Sequence, residues 1–507
     1  MISSLDELSY LARRAVPQTG GDDAIGALAN AGESDEAFPP HGNARRRAGT
    51  SVEAAQAATE MAMAQLNGQY ILMLRRGHLL SLSHAAPFRV VSQVALAPLA
   101  LGDRHDGLLV SKDLVLVVGL RTNLSSLELS QFRVDSVGGL HHVRTFWLRG
   151  RRDLGVNEYA ARLRGGQLQM YLPVPALDGD ALQRPALREG SEAFQDLPGS
   201  IHGGLQPGAI VHAAVTCDLT NSALACRAVS ILGPEAAIHH VSDEGILVWA
   251  DEAEGSPASP VLYRLPFGSE LPSALRMQGR PVDGLSFGEG ADGVLRVLVW
   301  LRGAGLHTES ETAARDELAL VRVPPHAFAQ SVVALQGAAY KRLPMPGGTG
   351  SLRARFVAGR LLYGTAAELN TDQTDDKLYL CDATRGDALS SMPLGHSVER
   401  IDAVAGGALI AGRSERDLVL TSVDLGKRVF VDRERVADDP ARGELDVLGI
   451  FAAPSARSES VIALPSYEAP TTSAGQAVTP SATVFLLRER SLQLERVAQL
   501  RANANGS

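Results

Sequence analysis

The chain has 507 residues, 45% of them hydrophobic, 21% charged and only 5% aromatic, so a large and mostly aliphatic core is possible. Its formal net charge of −9 argues against the broad basic face that a nucleic-acid partner requires. No run approaches the ~20 apolar residues needed to span a bilayer.

The first segment, residues 1–58, reads as a short helix followed by a flexible linker. Ser4 with Glu7 forms a capping box, and Leu5, Leu8, Leu11 and Ala12 give one apolar stripe. Gly20-Gly21, Pro39-Pro40 and many Ala, Ser and Glu residues follow, and Arg45-Arg46-Arg47 reads as a solvated charge run. Met1 to Arg14 lacks a charged stretch followed by an apolar one, so no signal peptide is visible.

From about residue 60 the pattern becomes strand, tight turn, strand. The turns include Asn67-Gly68, Lys112-Asp113, Gly165-Gly166, Glu244-Gly245, Asp292-Gly293, Ala358-Gly359 and Gly406-Gly407. An apolar strand follows each, as in Leu114 to Val118 and Ile246 to Trp249, and unbroken apolarity implies burial on both faces. A third, alternating strand and a more polar fourth complete units of roughly 45 to 80 residues, the shorter of which match a propeller blade. The expected fold is therefore all-β: a β-propeller over residues 59–500, with about eight, alternatively seven, four-stranded antiparallel blades. Residues 501–507 read as a disordered tail. The polar, aperiodic stretches 176–208, 304–316 and 466–481 are expected to be surface loops.

Cys217 and Cys226 form the candidate structural disulfide. Residues 210–219 and 224–231 read as a hairpin, and pairing Leu219 with Leu224 sets the two cysteines opposite each other. Such a bond persists only in an oxidising compartment. Cys381 reads as a lone buried thiol in an inner strand.

Other motifs carry less. Adjacent strand residues point to opposite faces, so neither His141-His142 nor His239-His240 can close on one metal ion by itself. The run Asp372-Gln373-Thr374-Asp375-Asp376 lacks the Gly and closing bidentate acid of a calcium loop, and Asp251-Glu252-Ala253-Glu254 is a plain acidic run. Gly347-Gly348-Thr349-Gly350 has no following Lys-Ser/Thr pair and reads as a turn between units. His-Glu-x-x-His is absent. No catalytic residue, metal ligand or cofactor is assigned.

Several stretches in order resemble bacterial secreted β-propeller-domain proteins: Asn157-Glu158-Tyr159-Ala160-Ala161-Arg162-Leu163 with Gln169 to Pro173, Val261 to Pro266, Leu318 to Pro324, and Phe356 to Gly364. Most of the acids that such proteins carry before the first turn are replaced here by Thr59-Glu60-Met61-Ala62-Met63. The resemblance implies an extracytoplasmic, monomeric, non-enzymatic scaffold for a protein or a surface polymer. The alternatives are a propeller hydrolase or lyase working at the central channel, and a degenerate structural paralogue.

Overall fold

A computed structural model describes residues 59–502 apart from short internal stretches, the longest being 251–258, 302–316, 368–375, 437–450 and 468–481. The expected N-terminal helix and the acidic run 251–254 lie outside the described residues, as does most of the run 372–376. Among the described residues there is no α-helix, and three short 3-10 turns interrupt an otherwise all-β chain. No helix among them is long and apolar enough to cross a membrane.

Among the described residues, eight sheets of four to six strands follow one another, with one two-stranded ribbon between them. We number them 1 to 8: sheet 1 spans residues 64–95, sheet 2 104–149, sheet 3 160–233, sheet 4 237–276, sheet 5 280–343, sheet 6 352–393, sheet 7 400–436 and sheet 8 451–502. Seven are antiparallel throughout; in sheet 3 one added strand joins in parallel. The innermost strands stand side by side, Ala64–Asn67 against Arg104–Ser111, that strand against Ala160–Arg164, and so on until Phe451–Pro454 returns to Ala64–Asn67. The ring closes, and the fold is the β-propeller expected from the strand pattern.

Burial explains the order of strands within a sheet. Every residue of the second strands Leu114–Arg121 and Gly245–Ala250 is buried, because neighbouring sheets cover both faces. The fourth strand Val90–Ala95 lies at the periphery and alternates between half-buried and exposed. First and second strands are joined by tight turns whose twist requires positive φ, at Gly165 and Gly166, or at Ala358 (48°) and Gly359 (74°).

Three features lay beyond the strand pattern. Thr59–Glu60 adds an extra strand to the inner edge of sheet 3, opposite Leu163 and Arg162, and Ala62 bridges to Leu108 in sheet 2. The chain thus passes through the channel before it builds sheet 1. Gly107 permits this, since a Cβ there would lie 2.6 Å from Met61 Cγ.

The stretch 176–208 is more than a loop. Ala186–Glu189 pairs with the outer strand Leu140–Arg149 of sheet 2, and Gly199–Gly203 pairs in parallel with the outer strand Ala225–Gly233 of sheet 3. Arg188 stacks over Trp147 (4.5 Å), and both Arg188 and Arg149 lie over Phe194. The insertion therefore closes two sheet edges that would otherwise offer unpaired backbone. Its short strands are polar and carry no alternation, which is why sequence reading made them loop.

The outer strands of sheets 1, 2, 7 and 8 each carry a one-residue bulge, at Val91, Val143, Val431 and Val497. A bulge re-aims the residue that follows it. Ser92 Oγ accepts the Leu140 N–H of sheet 2 (3.3 Å), Arg144 donates to Asn221 O of sheet 3 (2.8 Å), and Asp432 accepts the Leu494 N–H of sheet 8 (2.7 Å). In these three cases the bulge turns a polar side chain into a latch on the next sheet.

Candidate functional site

A group of ionisable side chains lies at the head of sheet 2 and extends into sheets 3 and 4. It begins with a bulge in the innermost strand Arg104–Ser111: His105 pairs with Gly119 and Gly107 with Val118, so Asp106 is the extra residue. Gly119 accommodates the crowding, because a Cβ there would lie 2.4 Å from Arg104 O.

The bulge delivers Asp106 to sheet 3. Tyr159 Oη donates to Asp106 Oδ2 (2.5 Å), and Arg104 Nε donates to Oδ1 (2.6 Å). Arg104 also donates to the Leu154 carbonyl. Asp106 and Tyr159 are both buried. Burial raises the Asp106 carboxyl above the ordinary range, although Tyr159 and Arg104 pull it down. Burial, then the neighbouring Asp106, hold the Tyr159 phenol well above its ordinary value.

Beside it, Arg121 makes a two-pronged pair with Glu128 (2.8 and 2.7 Å), and both side chains are buried. Asp103 stands 3.6 Å from Arg121 and accepts from the backbone N–H and the hydroxyl of Thr122 (2.8 and 2.9 Å). Trp147 Nε1 donates to Glu128 (3.2 Å). His105 Nε2 faces Arg121 Nη2 at 3.4 Å. A guanidinium only donates, so Nε2 must accept and the proton sits on Nδ1. Burial first, and then Arg121, lower the His105 pKa.

The polar run continues through sheets 3 and 4. His239 stacks on Tyr171 at 4.2 Å. Tyr171 Oη lies 2.7 Å from His212 Nδ1, and His212 Nε2 lies 2.9 Å from Pro234 O. A carbonyl can only accept, so Nε2 carries the His212 proton and Tyr171 donates to Nδ1. Burial pushes His212 down to about 4 and His239 to about 3, so both imidazoles are neutral near pH 7.

In these two networks most ionisable groups bond inside the protein, although the buried His105 Nδ1 has no hydrogen-bond partner. Both Asp106 oxygens, both Glu128 oxygens and both His212 nitrogens are engaged inside the protein. The same holds farther round the ring, where Asp402 of sheet 7 accepts from Arg355 of sheet 6 (2.9 Å) and from Arg400 (2.7 Å). Among the described residues no three His, Cys, Asp or Glu side chains gather as a metal set. The arrangement holds neighbouring sheets at fixed distances and fixes the backbone above them.

The residues singled out in the sequence sit elsewhere. Cys217 and Cys226 stand opposite each other in sheet 3, with Cα atoms 4.0 Å apart and the sulfurs within bonding distance. Cys381 is buried, as expected, on the third strand of sheet 6, which lies between the second and the fourth. His141 and His142 lie exposed on the outer strand of sheet 2 and bond Asp135 and Thr145. His239 and His240 occupy the innermost strand of sheet 4 and face opposite ways, His239 onto Tyr171 and His240 onto Phe287. They are packed between sheets. Sequence reading passed over Asp106, Arg121 and Glu128; the available signal was Arg104-His105-Asp106, three ionisable residues opening an otherwise apolar strand.

No protein-family model matches the chain, and no curated protein matches it either. Solved structures similar to it include AztD from Citrobacter koseri, 10% identical with a TM-score of 0.30, covering 73% of this chain and 85% of that one. The dihydro-heme d1 dehydrogenase NirN is 12% identical with a TM-score of 0.34, over 77% and 75% of the two chains. The polysaccharide lyase Uly1 is 10% identical with a TM-score of 0.37, over 85% and 99%. Likeness at this level says nothing about substrate or ligand.

Proposed function

We propose that the protein is a non-enzymatic extracytoplasmic scaffold that binds a partner protein with a basic surface on one rim of the ring. The observation that carries this reading is how the chain distributes its connections. First and second strands are joined at one rim, mostly by tight turns such as 165–166 and 358–359. Second and third strands are joined at the opposite rim, and there five connections are long: 176–209, 251–260, 302–316, 366–376 and 468–481. Loops on a rigid frame are where recognition concentrates. These five segments contain 16 Asp and Glu, four Arg and no Lys, so they carry more negative charge than the whole chain does net. That charge favours a basic protein surface over an anionic surface polymer.

A synthetic amphipathic peptide of leucine and lysine tests the reading against its leucine–glutamate counterpart. The lysine peptide is expected to bind and to weaken as salt is raised. Preference for the glutamate peptide, or for an anionic polysaccharide such as heparin, overturns it.

Export carries a second expectation, that Cys217 and Cys226 are oxidised. Protein recovered from its native compartment is expected to show neither thiol to alkylation under denaturing conditions. Reduction should lower its stability by about 2–3 kcal/mol, as for a short closed loop. Two alkylatable thiols at these positions would remove the extracytoplasmic part of the proposal.

A further inference from the structure

The connection between sheets 1 and 2 contains Leu96-Ala97-Pro98-Leu99-Ala100-Leu101, six apolar residues in a row, and no charged residue occurs from Val90 to Gly102. It joins the end of a fourth strand to the start of a first strand, which places it on the same rim as the long second-to-third connections. Leu101 is 100% exposed and Leu99 45%. Scattered exposed leucines need no explanation, but a run of exposed apolar residues does.

The backbone beneath these side chains is fixed. Asp103 N–H donates to Ala100 O (3.0 Å), and Ala100 N–H donates back to Asp103 Oδ2 (3.2 Å). Thr122 Oγ1 donates to Leu101 O (3.4 Å), and Arg121 donates to Pro98 O (3.4 Å). Gly102, at φ +87°, makes the turn that returns the chain to sheet 2. Arg121 is itself held by the buried Glu128. A buried ion network is thus used to hold two leucines in water, an arrangement that gains nothing for the isolated chain and lowers the ordering cost of binding.

We propose that Leu99 and Leu101 form a preorganised apolar knuckle that inserts into an apolar pocket of a partner whose surface is otherwise basic. This rests on the rim reading above and adds its anchor. A membrane surface is the less favoured occupant, because the acidic connections on the same rim repel anionic lipid.

The test uses the full chain and the leucine–lysine peptide. Substituting both leucines, Leu99→Asp and Leu101→Asp, is expected to weaken peptide binding at least about tenfold. The control Val137→Asp, at an exposed valine (70%) in the third-to-fourth-strand turn of sheet 2, is expected to leave binding unchanged. Both changes are at exposed positions, and an unchanged unfolding midpoint verifies the fold. If the double variant binds as well as the parent, the knuckle is wrong while the rim reading stands. If the parent fails to bind the lysine peptide at all, the rim reading falls with it. Leucine-dependent co-sedimentation with phosphatidylserine vesicles would overturn the protein-pocket assignment in favour of a membrane, and leucine-dependent self-association in sedimentation velocity would overturn it in favour of a second copy.

Discussion

Replacing Arg121 with Met is expected to destabilise the protein by about 3–5 kcal/mol, seen as a large fall in the chemical denaturation midpoint. Arg121 is 4% exposed and Glu128 8%, so the substitution strands a carboxylate in a site of low polarity. Trp147 Nε1 remains as a single donor to it and cannot neutralise the charge. Changing both residues, Arg121→Met with Glu128→Leu, should recover part of the loss, because two apolar side chains of similar length replace the pair, while Asp103, 3.6 Å from Arg121, loses its cation and keeps its Thr122 donors. The Pro98 carbonyl still loses its donor in the double variant. The account therefore expects partly recovered stability with weakened binding of the lysine peptide. A single substitution costing less than about 1 kcal/mol would show that the pair is solvated and that the connection above it is not held by it.

Acid lability is the second large effect. His212 and His396 are each 1% exposed, and burial brings each down to about 4. His396 Nδ1 lies 2.7 Å from Ser397 O and its Nε2 2.8 Å from Thr421 Oγ1, which fixes the neutral tautomer as it is fixed in His212. Each folded-state pKa is below the unfolded value of about 6.5. The unfolded chain therefore takes up the proton first. The stabilisation from each site is complete above about pH 6.5 and is lost as pH falls towards 4. Each site contributes up to about 3 kcal/mol to that loss. Asp106 acts in the opposite sense: its carboxyl is raised, so protonation favours the folded state at the acid end and offsets part of the loss there. Denaturation midpoints measured from pH 7.5 to 4.5 should fall steeply. His212→Gln should be less stable at pH 7.5 and show a shallower slope. An unchanged slope in that variant would mean that His212 takes up its proton as readily in the folded protein as in the unfolded chain.

The architecture was legible in the sequence because its cause is local. A second strand buried on both faces needs an unbroken apolar run, as Leu114 to Val118 provides, and a tight turn needs residues that accept positive φ, as Gly165-Gly166 do. The facing of Cys217 and Cys226 was likewise a matter of counting outward from one hairpin bend. What escaped the sequence depends on which sheet lies next to which. Nothing in Asp106 or Tyr159 alone says that they meet across 53 residues. The bulged valines share one residue type, yet the latch residues after them, Ser92, Arg144 and Asp432, differ in charge and size, so no repeat shows. The insertion 176–208 looks like loop in the sequence because its strands gain their partners from two sheets at once and carry no pattern of their own.

The rim assignment is tested most directly by hydrogen exchange on the full chain, with and without the leucine–lysine peptide. The account predicts that the peptide slows exchange in residues 96–103 and 121–126 and leaves the first-to-second-strand turns at 67–70 and 165–166 unchanged. Protection confined to those turns, or to the innermost strand 160–164 lining the channel, would contradict it and move recognition to the other rim or into the ring.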